Sequence, residues 1–258
     1  MEMLTAHFLF HGALNDFLPS RLKATRITCT FAPHQTVKHL VEAFGVPHLE
    51  VGQVLAGGQP VTSSTRLPDG CQVDIYPLEQ ESLPDDEARF ILDNHLGKLA
   101  ASLRMLGFDT LYRNDYQDDE LAATAAAEQR ILLTRDRRLL MRKSIPRGYC
   151  VRQDDPQEQI RAVLQRYNLY RQVHPFQRCL RCNHPLQPVA KSQVLERLEP
   201  LTKRYFDEFS LCPACNQVYW KGSHYERMQT LIAKLASAGI RGELEAEDPS
   251  ACASSVLC

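Results

Sequence analysis

Long apolar runs are missing from this chain. No stretch approaches the roughly 20 residues that a membrane-spanning helix requires. The opening MEMLTAHFLFHGAL has no basic leader and is broken by His7 and His11, so neither a bilayer span nor a secretory signal is expected. A surplus of charge is missing too: 30 Lys and Arg face 31 Asp and Glu, for a net charge of −1. No whole-chain field therefore favours nucleic acid, and a surface for it must be a local patch. No internal repeat is present. A cytoplasmic protein is expected, and in a reducing compartment nine cysteines argue for metal ligation or free thiols over disulfides.

What is present divides into segments, as 258 residues leave room for more than one domain. Residues 1–78 read strand (AHFLFHG), strand (ATRITCTF), helix (TVKHLVEAFGV), then two strands around a Gly57-Gly58 turn and a last strand in CQVDIYPL. That order is an α+β β-grasp unit. LPDGCQVDIYPL resembles the last strand of ubiquitin-like sulfur carriers, which act through a free terminal Gly-Gly. Here the strand runs on into EQESLPDDEA, so carrier chemistry is not expected and 79–88 read as a linker. The unit is expected to fold on its own, do no chemistry and offer a surface to a protein partner.

From 89 to 170 the pattern changes to short strands alternating with helices, which implies a parallel sheet covered by helices. RFILD, DTLYR, RILLTRD and GYCVRQ are its strands, and NHLGKLAASLRMLG, DDELAATAAAEQ, RRLLMRKS and DPQEQIRAVLQRYNL come between and after them. Residues 171–240 hold two cysteine pairs and a closing helix, SHYERMQTLIAKLASAG. The tail 241–258 lacks periodicity and reads as disordered.

Cys179-x-x-Cys182 and Cys212-x-x-Cys215 are two knuckles, each presenting two thiolates on one turn. Together they complete a tetrahedron around Zn²⁺, and a closed four-thiolate site is structural rather than hydrolytic. The interval between the knuckles is long, and an inserted helix in KSQVLERLEP is expected to fill it.

Asp93 ends RFILD, Asp118 opens DDELAAT and Asp136 ends RILLTRD. In a parallel sheet, strand ends that feed helices share one edge, where ligands of open sheets bind. Clustered carboxylates there suit Mg²⁺ or Mn²⁺, which can polarise a phosphoryl oxygen and acidify bound water. Each aspartate is equally an expected helix N-cap. Asp119 reads as a first-turn acid or a ligand, and of Asp154 and Asp155 one is expected to cap the next helix while the other reaches the site. Arg135, Arg137 and Arg138 read either as solvated surface or as a rim that tracks RNA phosphates, with Thr134 orienting Asp136 or a phosphate.

DDELAATAAAEQRILLTRD resembles the signature of PIN-type ribonuclease domains. FILDNHLGKLAASLRMLGFDTLYRND, RILLTRDRRLL, RCLRCNHPL and VYWKGSHYERM resemble, more closely, the Mut-seven C-terminal RNase-domain family, over about residues 1–230. The resemblance implies a ubiquitin-like domain, a PIN-like α/β domain and a zinc ribbon in that order. It implies a metal-dependent ribonuclease with Asp93, Asp118 and Asp136 as its acids. A further acid expected between the first two has no clear counterpart, and Asp119 or Asp154 is the substitute. The alternative is an RNA-binding adaptor, weak in catalysis, whose ubiquitin-like domain recruits a protein partner.

Overall fold

In the computed structural model, residues 3–84, 88–222, 225, 226, 228–230 and 232–234 are described. The expected tail 241–258 and residues 235–240 of the expected closing helix lie outside them. The N-terminal unit consists of β1 (Leu4–Phe10), β2 (Ile27–Phe31), α1 (Val37–Ala43), β3 (Val51–Ala56), β4 (Gln59–Val61) and β5 (Cys71–Pro77). Its sheet order is β2-β1-β5-β3-β4, with β1 and β5 parallel and the other pairs antiparallel. This is the ubiquitin-like arrangement. Alternation in β1 points Ala6, Phe8 and Phe10 inward, as the two-residue period of a strand requires, and α1 lays Val37, Leu40 and Val41 against them. Gly57 and Gly58, at φ +55° and +80°, close the β3–β4 hairpin in the positive-φ conformation that two-residue turns demand.

The α/β domain contains β6 (Arg89–Leu92), α2 (Gly97–Met105), β7 (Asp109–Tyr112), α3 (Asp118–Ala127), β8 (Ile131–Thr134), β9 (Gly148–Cys150) and α4 (Pro156–Arg166). Its sheet order is β7-β6-β8-β9, and every pair is parallel. Strands covered on both faces are apolar throughout, which explains FIL and ILL. Phe90, Leu92, Ile131 and Leu133 turn towards α2 and α4; Ile91, Leu132 and Cys150 turn the other way. RRLLMRKS contains only a short 3-10 turn, Leu139–Met141, where a helix was expected. Pro146 follows closely and disfavours helical backbone before it.

That other face is not covered by α3 alone. Ile91, Leu132, Leu139, Leu140, Ile145 and Cys150 share one continuous core with Phe8, Phe10, Leu40 and Ile75 of the ubiquitin-like unit. Polar contacts line the same seam. Glu50, 4% exposed, accepts the Cys150 amide at 2.6 Å and so caps the open edge of β9, which would otherwise invite pairing with another strand. Burial pushes the Glu50 carboxyl up, against the pull of the Cys150 amide, Arg166 and Arg152. Arg166 donates to the Leu78 carbonyl and to Leu49 O at 3.0 Å. Arg152 reaches Ala13 O and Asp16 at 2.8 and 2.9 Å. The segment expected as a linker packs as well: Leu83 and Ala88 are buried in the second core, and the Glu81 amide donates to Arg166 O.

The C-terminal unit has β10 (Gln187–Val189), α5 (Lys191–Val194), α6 (Pro200–Tyr205), β11 (Phe209–Leu211) and β12 (Val218–Trp220), with its strands antiparallel in the order β10-β11-β12. The expected inserted helix is broken into α5, a 3-10 turn at Leu195–Arg197 and α6. Pro200 lacks the N–H to continue a helix and instead starts α6. Met228 and Ile232 pack on the second core.

Candidate functional site

Two places hold the chemistry-bearing residues, one at each end of the parallel sheet. At the N-terminal end of β7 stand the knuckles. Each is Cys-x-x-Cys-Asn with the same backbone pattern: Asn183 N donates to Cys179 O and Asn216 N to Cys212 O, both at 2.9 Å. Asn183 and Asn216 take φ of +70° and +57°, a left-handed conformation that Asn tolerates better than most residues. The turns bring Cys179 Sγ to 3.5 Å from Cys215 Sγ and Cys182 Sγ to 3.4 Å from Cys212 Sγ. All four sulfurs lie within 4.8 Å of one another. Zn–S bonds of about 2.3 Å in a tetrahedron separate sulfurs by about 3.8 Å, so the four cysteines fit zinc. The Tyr219 hydroxyl lies 3.1 Å from Cys179 Sγ. Burial opposes the Cys179 thiolate, but that hydroxyl and neighbouring amides outweigh it and lower the thiol's pKa.

The first knuckle is tied to the α/β domain by buried polar groups. Arg104, 4% exposed, donates to Thr110 O, Leu180 O and Arg181 O at 2.9 to 3.1 Å. Asn183 accepts the Thr110 amide and donates to Asp109, whose other partners are Arg130 at 2.7 Å and Arg178 at 3.6 Å. Burial works against the Asp109 carboxylate, but the Arg130 and Asn183 hydrogen bonds hold its pKa below the usual range. None of this network was legible as a site, because its members are far apart in sequence and individually ordinary.

At the opposite, C-terminal edge the expected acids take different duties. Asp93, 6% exposed, follows β6 and braces it to β8. It accepts from the Thr134 hydroxyl, from the Arg135 amide at 3.0 Å and from the His95 amide at 3.0 Å. It caps no helix, since α2 begins only after Leu96. Thr134, expected to orient Asp136 or a phosphate, accepts the Asp136 backbone amide at 2.8 Å. Asp136 is exposed and accepts the Arg138 amide at 2.7 Å. Asp118 is the first residue of α3; the cap is Gln117, whose backbone amide donates to Glu120 Oε2 at 3.2 Å. Arg142 holds Asp118 at 3.7 Å and Asp119 closer still. These three line a cleft of about 350 Å³ with Asn94, Tyr116 and Gln117. Asp154 reaches no other acid and pairs instead with Arg135 at 2.6 Å, while Asp155 is the cap of α4.

Among the described residues, the four cysteines are the one group of three or more ligand side chains close enough to share an ion. The expected RNA contacts divide as well. Arg137 donates to Phe17 O at 2.9 Å and belongs to the seam between the domains. Arg135 is half taken by Asp154, and Arg138 is exposed.

The fold and site thus define a parallel-sheet α/β domain that carries a four-thiolate ribbon and is packed against a ubiquitin-like module. The chain belongs to the Mut7-C RNAse domain family, whose model matches residues 88–232; the Mut7-C ubiquitin model matches residues 3–83. No curated protein matches the chain. A solution structure of the Haloferax volcanii HVO 2177 protein is similar at 17% identity over 29% of this chain and 83% of that one, with a TM-score of 0.25, too slight a likeness to bear on the fold. Among the described residues no helix is long and apolar enough to cross a membrane.

Proposed function

We propose that the chain is a ribonuclease that hydrolyses RNA phosphodiester bonds at the C-terminal edge of a PIN-like sheet, with Mg²⁺ or Mn²⁺ as its ion. The observation that carries this reading is a coincidence of family and placement. In a chain of an RNAse-domain family, Asp93 and Asp136 follow adjacent parallel strands, and Asp118 and Asp119 share a cleft with Asn94. An ion there would polarise a phosphoryl oxygen and lower the pKa of its water. The chain's own residues fix the edge: Thr134 and two backbone amides hold Asp93, and exposed Arg138 offers a cation to the RNA backbone.

The carboxylates as they stand do not form an ion site. Asp93 is already committed to three donors, and Arg142 occupies Asp118 and Asp119. Ion binding at these acids requires Arg142 to withdraw. The same observation favours a second reading, an adaptor of weak catalytic power that holds RNA while the ubiquitin-like unit engages a protein partner.

Cleavage of labelled RNA and DNA with and without Mn²⁺ separates the two. Mn²⁺-dependent turnover of RNA is expected, along with a loss on the order of a hundredfold or more for Asp136→Asn at unchanged thermal stability, because Asn keeps the acceptor for the Arg138 amide but not the charge. Arg142→Ala should lower the Mn²⁺ concentration needed. RNA bound without turnover under every condition would favour the adaptor, and wild-type turnover by Asp136→Asn would remove that residue from the reaction.

A further inference from the structure

We propose that the ribbon end of the chain carries an aromatic slot that takes an unpaired nucleobase of RNA, stacked on Trp220. The proposal rests on RNA being the substrate class, and it adds a second point of grip at the end of the sheet opposite the acids. A cleft of about 490 Å³ opens beside the ribbon sheet, walled by Phe176, Phe209, Tyr219, Trp220, Tyr225 and Met228. Pockets for flat organic groups are concave and mainly apolar, with a few polar groups at the rim, and this one has that character.

Trp220 is also one of the exposed large hydrophobic residues. Of five large hydrophobic residues that stand exposed among the described residues, four lie between positions 195 and 220: Leu195, Leu201, Tyr205 and Trp220, the last two 65% and 41% exposed. Of these four, Trp220 lines the cleft. One of the other three, Tyr205, has a cation beside it. Lys203 adjoins Arg204, and the Arg204 guanidinium lies 5.5 Å from the Tyr205 ring centre. Aromatic platforms interleaved with cations are how single strands are held without reading their sequence.

The charges at the rim of the cleft favour a neutral occupant. Asp207 is paired with Lys191 at 2.7 Å, Glu208 with Lys221 at 2.5 Å and Arg178 with Asp109 at 3.6 Å. An ionic group entering the slot would have to break a pair, whereas a flat, uncharged base need not. Its phosphates would stay outside, in solvent. The ribbon is anchored at Asp109 and Thr110, where β7 begins, and the acids follow the strand ends. A strand touching both must therefore span several nucleotides.

Trp220 is the sole tryptophan of the chain, so its fluorescence reports the slot directly. The full chain with zinc retained is titrated with an oligouridylate of about ten nucleotides, with Mg²⁺ and Mn²⁺ omitted, and with an abasic ribose-phosphate strand of equal length. Saturable quenching by the oligouridylate is expected, with affinity for the abasic strand lower by about tenfold or more, the scale of one lost stacking contact. By anisotropy of labelled RNA, Trp220→Leu should lose about the same factor and Trp220→Phe, which keeps a ring, most of it should recover; zinc content and melting temperature serve as controls for folding. RNA that binds by anisotropy while Trp220 fluorescence stays unmoved overturns the slot alone and assigns the surface to some other partner, such as a protein. An abasic strand that binds equally well overturns it too. Absence of any RNA binding overturns both the slot and the ribonuclease reading, whereas quenching without Mn²⁺-dependent cleavage supports the slot and removes only hydrolysis.

Discussion

Cys212→Ser is expected to empty the four-thiolate site and to loosen far more than the ribbon. Zinc bound to such sites contributes about 10–16 kcal/mol in small zinc-dependent folds, more than the whole stability of most domains, so a ribbon with a vacant fourth position should not hold its shape. Here the damage has a path inwards. Arg104 spends two of its three hydrogen bonds on the carbonyls of Leu180 and Arg181, inside the first knuckle, and Thr110 gives its amide to Asn183. If the knuckle melts, a buried guanidinium and a strand amide lose their partners, and each such orphan costs about 1–3 kcal/mol. Elemental analysis should fall from one zinc per chain to near none, protease should cut within 176–222, and hydrogen exchange should rise at Thr110. Cys29→Ser and Cys71→Ser should leave zinc content unchanged. Full zinc content in a chain lacking all four knuckle cysteines would refute the site.

Removal of the ubiquitin-like unit is expected to destroy the α/β domain. A chain beginning at residue 79 would uncover Leu139, Leu140, Ile145 and one face of Leu132 and Ile91, all buried in the shared core. Side chains of this size are worth roughly 1.5–3 kcal/mol each when fully buried, so several together rival a domain's net stability. Arg166 and the Cys150 amide would lose Leu49, Leu78 and Glu50 as well. The truncated chain should elute as an aggregate or bind a hydrophobic dye without a sharp melting transition. A soluble, cooperatively melting product would show that the two units are only neighbours.

This second expectation reverses the one drawn from the sequence, and the reason is instructive. Elements with local signals were legible: the strand order of residues 1–78, the Gly57-Gly58 hairpin, the parallel sheet implied by FIL and ILL, and the paired knuckles. An apolar strand announces that both faces are covered but not by what, so a cover supplied by another domain reads the same as one supplied by a helix. Nor does a basic run reveal its partners. Arg137 was read, with Arg135 and Arg138, as solvated surface or an RNA contact, yet its acceptor, Phe17 O, is 120 residues away. Asp93 and Asp136 were correctly placed at adjacent strand ends, whereas the use of Asp93 as a brace depends on side-chain rotamers that no spacing encodes. Arg142 lies in RRLLMRKS, and nothing in that segment singles it out as the partner of Asp118 and Asp119.

The Glu50 cap over β9 also turns Cys150 into a clock. Its thiol is 4% exposed and pushed up to about 12, chiefly by burial and then by the Glu50 charge. A thiol so protonated and covered does not react with an alkylating reagent until the two units part. Its labelling rate, followed at the peptide containing Cys150 at high reagent concentration, should therefore become independent of reagent and equal the frequency with which the units separate. If that rate instead grows in proportion to reagent and matches the rates of the partly exposed Cys29 and Cys71, the seam stands open for most of the molecule's life.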